Sequence, residues 1–237
     1  MPVYDLSGKG LAKVVVDSLC KCGIDIDYLR GQGYDGAAAM SGRFHGAQAF
    51  IREQHPLALY VHCSSHSLNL AIGDACSVAP IRNCLGTISS VYNFLNTPKR
   101  LDVLRESIRT VCPTSNSTRL IQMCPTRWIA RHDSVSVFVE LLKAVIDCLE
   151  VIAEWPDRDS SAGANQLLNS VKQSKFLISL HVAGDIFAVS LGLCRSLQTE
   201  NLDLPEALNL ADDVLAVIGE MRANAESVFA ELFATVA

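Results

Sequence analysis

Leu29-Arg30-Gly31-Gln32-Gly33-Tyr34-Asp35-Gly36-Ala37-Ala38-Ala39-Met40-Ser41-Gly42 is the stretch on which the fold turns. The run from Tyr28 to Asp35 is short and contains Gly31 and Gly33, consistent with a strand that leads into a tight turn. Ala37-Ala38-Ala39-Met40 then starts a helix expected to run toward Gln54, with His55-Pro56 ending it. Asp35 therefore stands at the end of a strand between Gly33 and Gly36, which allow backbone or ligand to approach closely. A carboxylate in that place can point into a crevice at the carboxyl edge of a sheet and offer oxygen to Mg²⁺ or Mn²⁺, hard ions that prefer oxygen ligands. Taken alone, however, Asp-Gly is a turn dipeptide before it is a metal site.

Upstream, Leu6 to Cys22 has apolar residues at Leu11, Val14, Val15 and Leu19 with helical spacing, Ser7 as a cap and Gly23 as a left-handed stop. Downstream, Ala58-Leu59-Tyr60-Val61-His62 is a brief β-favouring run, and Ser64 is placed to cap a helix from about Ser65 to Cys76. The resulting α-β-α-β-α alternation predicts strands buried between helices. Beyond Pro80, Ile81, Leu85, Ile88, Val91, Tyr92 and Leu95 share a helix side, and Pro98 restarts a helix to about Arg109. Residues 110–126 read as a loop, with a short strand at Leu120 to Met123. From Trp128 onward the patterns are long and helical: Val135 to Ile152, Asn165 to Leu197, and Pro205 to the end, interrupted near Pro156-Asp157 and Asn201-Leu202-Asp203. The expected architecture is α/β plus all-α and mostly helical, an α/β portion over 1–126 and an all-helical portion over 127–237.

With 49% apolar and 19% charged residues the composition is that of a folded globular chain and excludes disordered and coiled-coil classes. Neither an apolar run of about 18 residues nor a signal core is present, so an intracellular setting without a membrane is expected. The nine cysteines are odd in number and irregularly spaced, which predicts reduced thiols serving as small buried hydrophobes. The net charge of −5 hides an uneven distribution. Residues 81–131 hold eight Lys and Arg against two Asp and Glu, whereas 132–237 hold six against sixteen. Such a basic middle can face phosphate or can be a solvated helix face.

Two further constellations bear on chemistry. Cys63 and His66 are three apart and fall on one face of the helical turn after the second strand; half a zinc site and an activated Cys-His pair are both open readings, but neither a second ligand pair nor an oxyanion motif accompanies them. Pro125-Thr126-Arg127-Trp128 closes the basic segment. Arg127 can pair with phosphate while Trp128 stacks on an unpaired base, or Trp128 can be a core residue at a helix start.

In this order the segments from Leu29 to Gly42, His62-Cys63-Ser64-Ser65-His66-Ser67-Leu68-Asn69-Leu70 and Pro125 to Trp128 resemble the hAT transposase superfamily, particularly its domesticated zinc finger MYM-type and THAP-domain relatives. Leu197-Gln198 and Asp203-Leu204 resemble its helical region. The resemblance implies a ribonuclease H-like (RNase H-like) core followed by a helical insertion, in a nuclear protein whose intact relatives use Mg²⁺ or Mn²⁺. It makes Asp35 the second acidic metal ligand of an Asp-Asp-Glu triad, His66 a contact to the scissile strand with Cys63 packed beside it, and Trp128 with Arg127 the support for a displaced base. The first Asp and the final Glu of that triad have no counterpart here: Asp5 lacks the preceding hairpin, and Glu226 and Glu231 lack the surrounding motif. A partial core without bound metal is therefore expected, non-catalytic and acting on DNA, a protein partner or a second copy. An active nuclease needs the missing segments from elsewhere, and an acidic helical interaction scaffold is the third reading. Incomplete strand cover further predicts limited stability or reliance on a partner.

Overall fold

The computed structural model describes residues 3–124, 128–199 and 203–236. Its contacts divide the chain into two compact units, Met1–Ala71 and Ile72–Ala237. This is a division by compactness; where a helical insertion would begin is a matter of ancestry, and a boundary at 126 stays a proposal.

The first unit opens with α1 (Gly8–Lys21), capped as its sequence requires: the Ser7 hydroxyl accepts from the Gly10 N–H at 3.1 Å, and Gly23 at φ 76° ends the turn that follows. Strand β1 (Gly31–Tyr34) pairs in parallel with β2 (Leu59–His62), Gly31 opposite Leu59 and Tyr34 opposite His62. The helix expected to reach Gln54 without interruption is two helices, α2 (Ala38–Ser41) and α3 (Ala47–Gln54). Close packing explains the break. A Cβ on Gly8 would fall against the His45 carbonyl and come within 2.8 Å of the Gly46 carbonyl carbon, so α1 lies directly on the backbone between the two helices. Around that contact Ala12, Ala47, Ile51 and Ala58 are buried under Leu11, Val15, Tyr34, Met40 and Phe50. Gln32, also buried, donates from Nε2 to the carbonyls of Gln48 (3.1 Å) and Ala58 (3.0 Å), tying β1 to α3 and to the start of β2.

Burial of the strands is one-sided, which corrects the expectation of strands enclosed by helices. Gln32 and Tyr34 face the helices, whereas Gly31, Gly33, Leu59 and Val61 share the opposite face by alternation, and there Leu59 and Val61 are 56% and 62% exposed. Glycine at two of those four positions removes the side chains that a second helical layer would bury. Helix α4 (Ser64–Ala75) begins at Ser64 itself, with the Cys63 carbonyl accepting the Ser67 N–H at 3.0 Å; Ser64 is thus in the first turn and is not its cap.

The second unit is helical. It comprises α5 (Ala79–Leu95), α6 (Pro98–Val111), α7 (Trp128–Glu140), α8 (Leu142–Ala153), α9 (Arg158–Val171), α10 (Ser174–Ser196), α11 (Leu204–Ala223) and α12 (Ala225–Val236). Three long helices of the sequence reading are thus divided, near Leu141, Lys172 and Asn224, because apolar periodicity continues across interruptions of one or two residues that contain neither Pro nor Gly. Asp157 starts α9 as a true cap, its carboxylate accepting the Ser160 N–H at 3.0 Å. No strand forms at Leu120 to Met123: Leu120 is buried and the Ile121 carbonyl accepts the Ser134 hydroxyl at 2.9 Å, in irregular backbone. Helix α10 is long and apolar enough to cross a membrane by length and composition, yet it packs on α5, α7 and α11, with Phe176, Leu180, Ala183 and Phe187 buried. Its hydropathy is that of a central core helix.

All nine cysteines are free thiols, but they are not uniformly small core residues. Burial pushes the thiols of Cys84 and Cys148 up to about 12 and that of Cys194 to about 11, with Asp147 adding to the effect at Cys148, whereas Cys20 and Cys22 are exposed. A disulfide-exchange reagent at pH 8 is expected to modify Cys20 and Cys22 first and Cys84, Cys148 and Cys194 only on unfolding. Peptide mapping of a time course checks this; early labelling of Cys148 would contradict the packing of α8.

Candidate functional site

The two parallel strands end side by side, and what leaves their carboxyl ends is the Asp35 turn and the Cys63 turn. The Cys63 N–H donates to the Tyr34 carbonyl at 2.9 Å, extending the ladder by one rung and fixing the two exits next to each other. Asp35 then turns the chain by accepting the Ala37 N–H on Oδ1 at 3.2 Å. Gly36 has the closest surroundings: a Cβ there would lie 3.0 Å from His66 Nε2 and 3.5 Å from His62 Cε1. Backbone at position 36 therefore lies against two imidazoles, and a side chain there would need the His66 ring to shift by a few tenths of an ångström. His66 thus lies beside the residue that follows Asp35.

Three other side chains extend the site. His62 stacks on His66 with ring centroids 5.6 Å apart and planes at 29°. Tyr60, two residues before His62 on the same strand face, meets its ring edge-on at 6.5 Å, and Tyr34 across the sheet lies 6.2 Å from Tyr60. The result is a row Tyr34, Tyr60, His62, His66 that ends at the Asp35 turn. Tyr60 and His62 were not singled out from sequence. Period-two alternation from Tyr60 to His62 followed by a four-residue step to His66 was the available signal. Cys63 contributes through its backbone, its carbonyl also accepting the Ser67 hydroxyl at 3.2 Å, and its half-buried side chain is not part of this row.

As a metal site the arrangement does not suit Mg²⁺ or Mn²⁺. Among the described residues no group of three or more His, Cys, Asp or Glu side chains is placed to hold a metal ion, and the side chains against the Gly36 backbone are the imidazoles of His66 and His62 rather than carboxylates. Arg127 lies outside the described residues; Trp128 opens α7, with its side chain likewise outside them. Within the basic segment, several cations already have local partners. Arg100 donates to the Phe94 carbonyl and the Ser160 hydroxyl, both at 2.9 Å, and stacks on the Phe94 ring, so it joins helices and is not a free phosphate contact. Lys99 sits 4.2 Å over the Trp155 ring, Arg105 meets Asp102 at 3.1 Å, and Arg109 pairs with Glu106.

The irregular segment that leads to Pro125 is held by Glu140, at the end of α7. Its carboxylate accepts the hydroxyls of Ser115 (2.5 Å) and Ser117 (2.9 Å), and these bonds hold its carboxyl below the ordinary value. A depressed folded-state value means that this contribution is fully present above the unfolded carboxyl's titration range and is lost as pH falls through the folded one. Because Glu140 is exposed to solvent, the contribution is modest. Glu140→Ala is expected to speed amide exchange over residues 113–124 by roughly 5-fold, equivalent to about 1 kcal/mol. Unchanged exchange would show that Glu140 does not hold the segment.

Residues 1–46, which include Asp35 and Gly36, match a domain family described as the ZMYM1/FAM200, RNase-like domain. Over 214 residues, 87% of this chain, the sequence is 26% identical to the 52 kDa repressor of the inhibitor of the protein kinase of Homo sapiens, and over 215 residues it has the same identity to the Mus musculus protein of that name. The chain spans 28% of the length of each of those relatives. No solved structure matches it significantly. With the RNase-like match, the mostly helical architecture and its small parallel sheet constitute a partial RNase H-like core followed by helices.

Proposed function

We propose that this chain is a transposase-derived domain of hAT type that binds DNA without cutting it, in a nuclear setting. The observation that carries the proposal is the environment of Asp35. The residue that marks the family's metal site packs its turn against His62 and His66, and among the described residues no group of three or more His, Cys, Asp or Glu side chains is placed to hold a metal ion. Two-metal cleavage needs paired oxygen ligands to hold both ions, whereas imidazoles and tyrosines beside a turn are suited to contacting phosphates and bases. Similarity to proteins named as repressors supports a regulatory role reached through binding. On this reading Asp35 is a former metal ligand, His66 a strand contact, Cys63 a packing residue, and Arg127 with Trp128 a further DNA contact.

The test is fluorescence anisotropy of nicked, hairpin and intact DNA over a range of salt, with a cleavage assay in Mg²⁺ and Mn²⁺ alongside. Salt-dependent binding, no cutting, and undiminished affinity in Asp35→Ala are expected. Metal-dependent cutting that disappears in Asp35→Ala would establish an active nuclease instead. A second reading, a protein-interaction surface, is favoured by the apolar exposure on α11 and α12, where Leu215 is 67% and Phe233 53% exposed in an acidic region. Absence of DNA binding at low salt would move the conclusion to that reading.

A further inference from the structure

In the helical unit a cavity of about 260 Å³ lies between the end of α5, the first half of α6 and the irregular backbone at 119–122. Its floor is apolar: Leu95 and Leu104, each 1% exposed, close it from below. Tyr92, half-buried, is among its lining residues. Two carboxamides, Asn96 and Gln122, and two guanidiniums, Arg105 and Arg119, line the rest. Arg119 is exposed and has no hydrogen-bond or ion-pair partner among the described residues. Arg105 is held only by an i,i+3 pair with Asp102, both side chains more than half exposed, a kind of pair that contributes little and is readily exchanged.

We infer that this cavity receives one unpaired nucleotide of a DNA strand, its base against Tyr92 over the leucine floor and its phosphate at Arg105 and Arg119. Three features select this ligand. The volume falls below the roughly 300–1,000 Å³ of clefts that take a whole drug-sized ligand, which limits the occupant to about one ring system with its anionic part outside. An apolar slot beside an aromatic ring accepts the π-face of any base, and carboxamides present a donor and an acceptor that can meet a base edge. Guanidiniums at the mouth supply forked donors for phosphate oxygens. Duplex DNA cannot offer a base in this way without extruding it, so an overhang, a nick or a displaced strand is required. The inference rests on the DNA-binding reading above and locates a base site that does not depend on Asp35 or Trp128.

The experiment uses the full chain, a blunt duplex and the same duplex carrying a short single-stranded overhang with 2-aminopurine in it. Preference for the overhang by about tenfold is expected, with a change in 2-aminopurine emission on binding. Arg119→Ala should weaken overhang binding roughly 5-fold to 10-fold and lower the salt slope by about 1, and should leave the blunt duplex nearly unaffected. Tyr92→Leu should remove the emission change; should it fail to fold, as judged by circular dichroism, Arg119→Ala and Arg105→Ala decide alone. Equal affinity for both duplexes that none of the variants alters would overturn the pocket and leave DNA binding standing. No binding of either duplex by the wild-type chain at low salt would overturn both.

Discussion

Phe138→Ala is expected to lower the unfolding free energy of the helical unit by about 3–5 kcal/mol, the range for deleting a buried aromatic ring. Phe138 lies on α7, is 1% exposed, and meets Phe176 of α10 edge-to-face with centroids 5.9 Å apart. The substitution removes transfer energy, leaves a cavity between two helices that can close only in part, and deletes an aromatic pair worth about 0.5–1.5 kcal/mol beyond its area. Leu141, one turn along the chain, is itself fully buried. Urea unfolding followed by circular dichroism at 222 nm gives the measurement. A loss below about 1 kcal/mol would mean that α7 and α10 do not pack through this ring. For comparison, Phe229→Ala on α12, at a 49% exposed position, is expected to change stability by less than about 0.5 kcal/mol.

What could be read from sequence differed between the two units for physical reasons. Helix α1 was legible because three local signals agree: the Ser7 cap, the spacing of Leu11, Val15 and Leu19, and Gly23 at its end. Both strands were legible as short runs. The division of α2 from α3 was missed although Gly42 and Gly46, which cap the two helices and lie against each other's backbone, stand at the break; the contact with Gly8 from across the unit is not encoded locally. Nor was the open face of the sheet legible, because Leu59 and Val61 are as apolar as core residues and only the glycines opposite them, at 31 and 33, carry the difference. In the basic segment the sequence left both readings open. Charge counts register Arg100 and a free arginine alike, but only three-dimensional packing shows that Arg100 is already committed to Phe94 and Ser160.

Gly8→Val is expected to have the other large effect, and it tests whether the Asp35 turn depends on packing at a distance. Even the first carbon of a side chain at position 8 would fall within 2.8 Å of the Gly46 carbonyl carbon and 2.9 Å of the Ala47 nitrogen. All the groups it meets are backbone, so no rotamer change can relieve the overlap; α1 must move away from α3. Overpacking of a side chain into a core costs about 1–3 kcal/mol, and contact with immovable backbone places this substitution at or above the top of that range. With Ala12 and Ala47 buried along the same contact, the small cluster that also holds Tyr34 and Met40 opens with it. Hydrogen exchange should show α1 and α3 amides losing at least about 100-fold of their protection, the factor that corresponds to about 2.7 kcal/mol. In a Trp128→Phe background, the urea transition of Trp155 fluorescence, which reports on the end of α8 and its surroundings, should be unaffected. DNA affinity that survives in this variant would assign binding to the helical unit, while its loss without any change in the Trp155 transition would assign it to the row of Tyr34, Tyr60, His62 and His66.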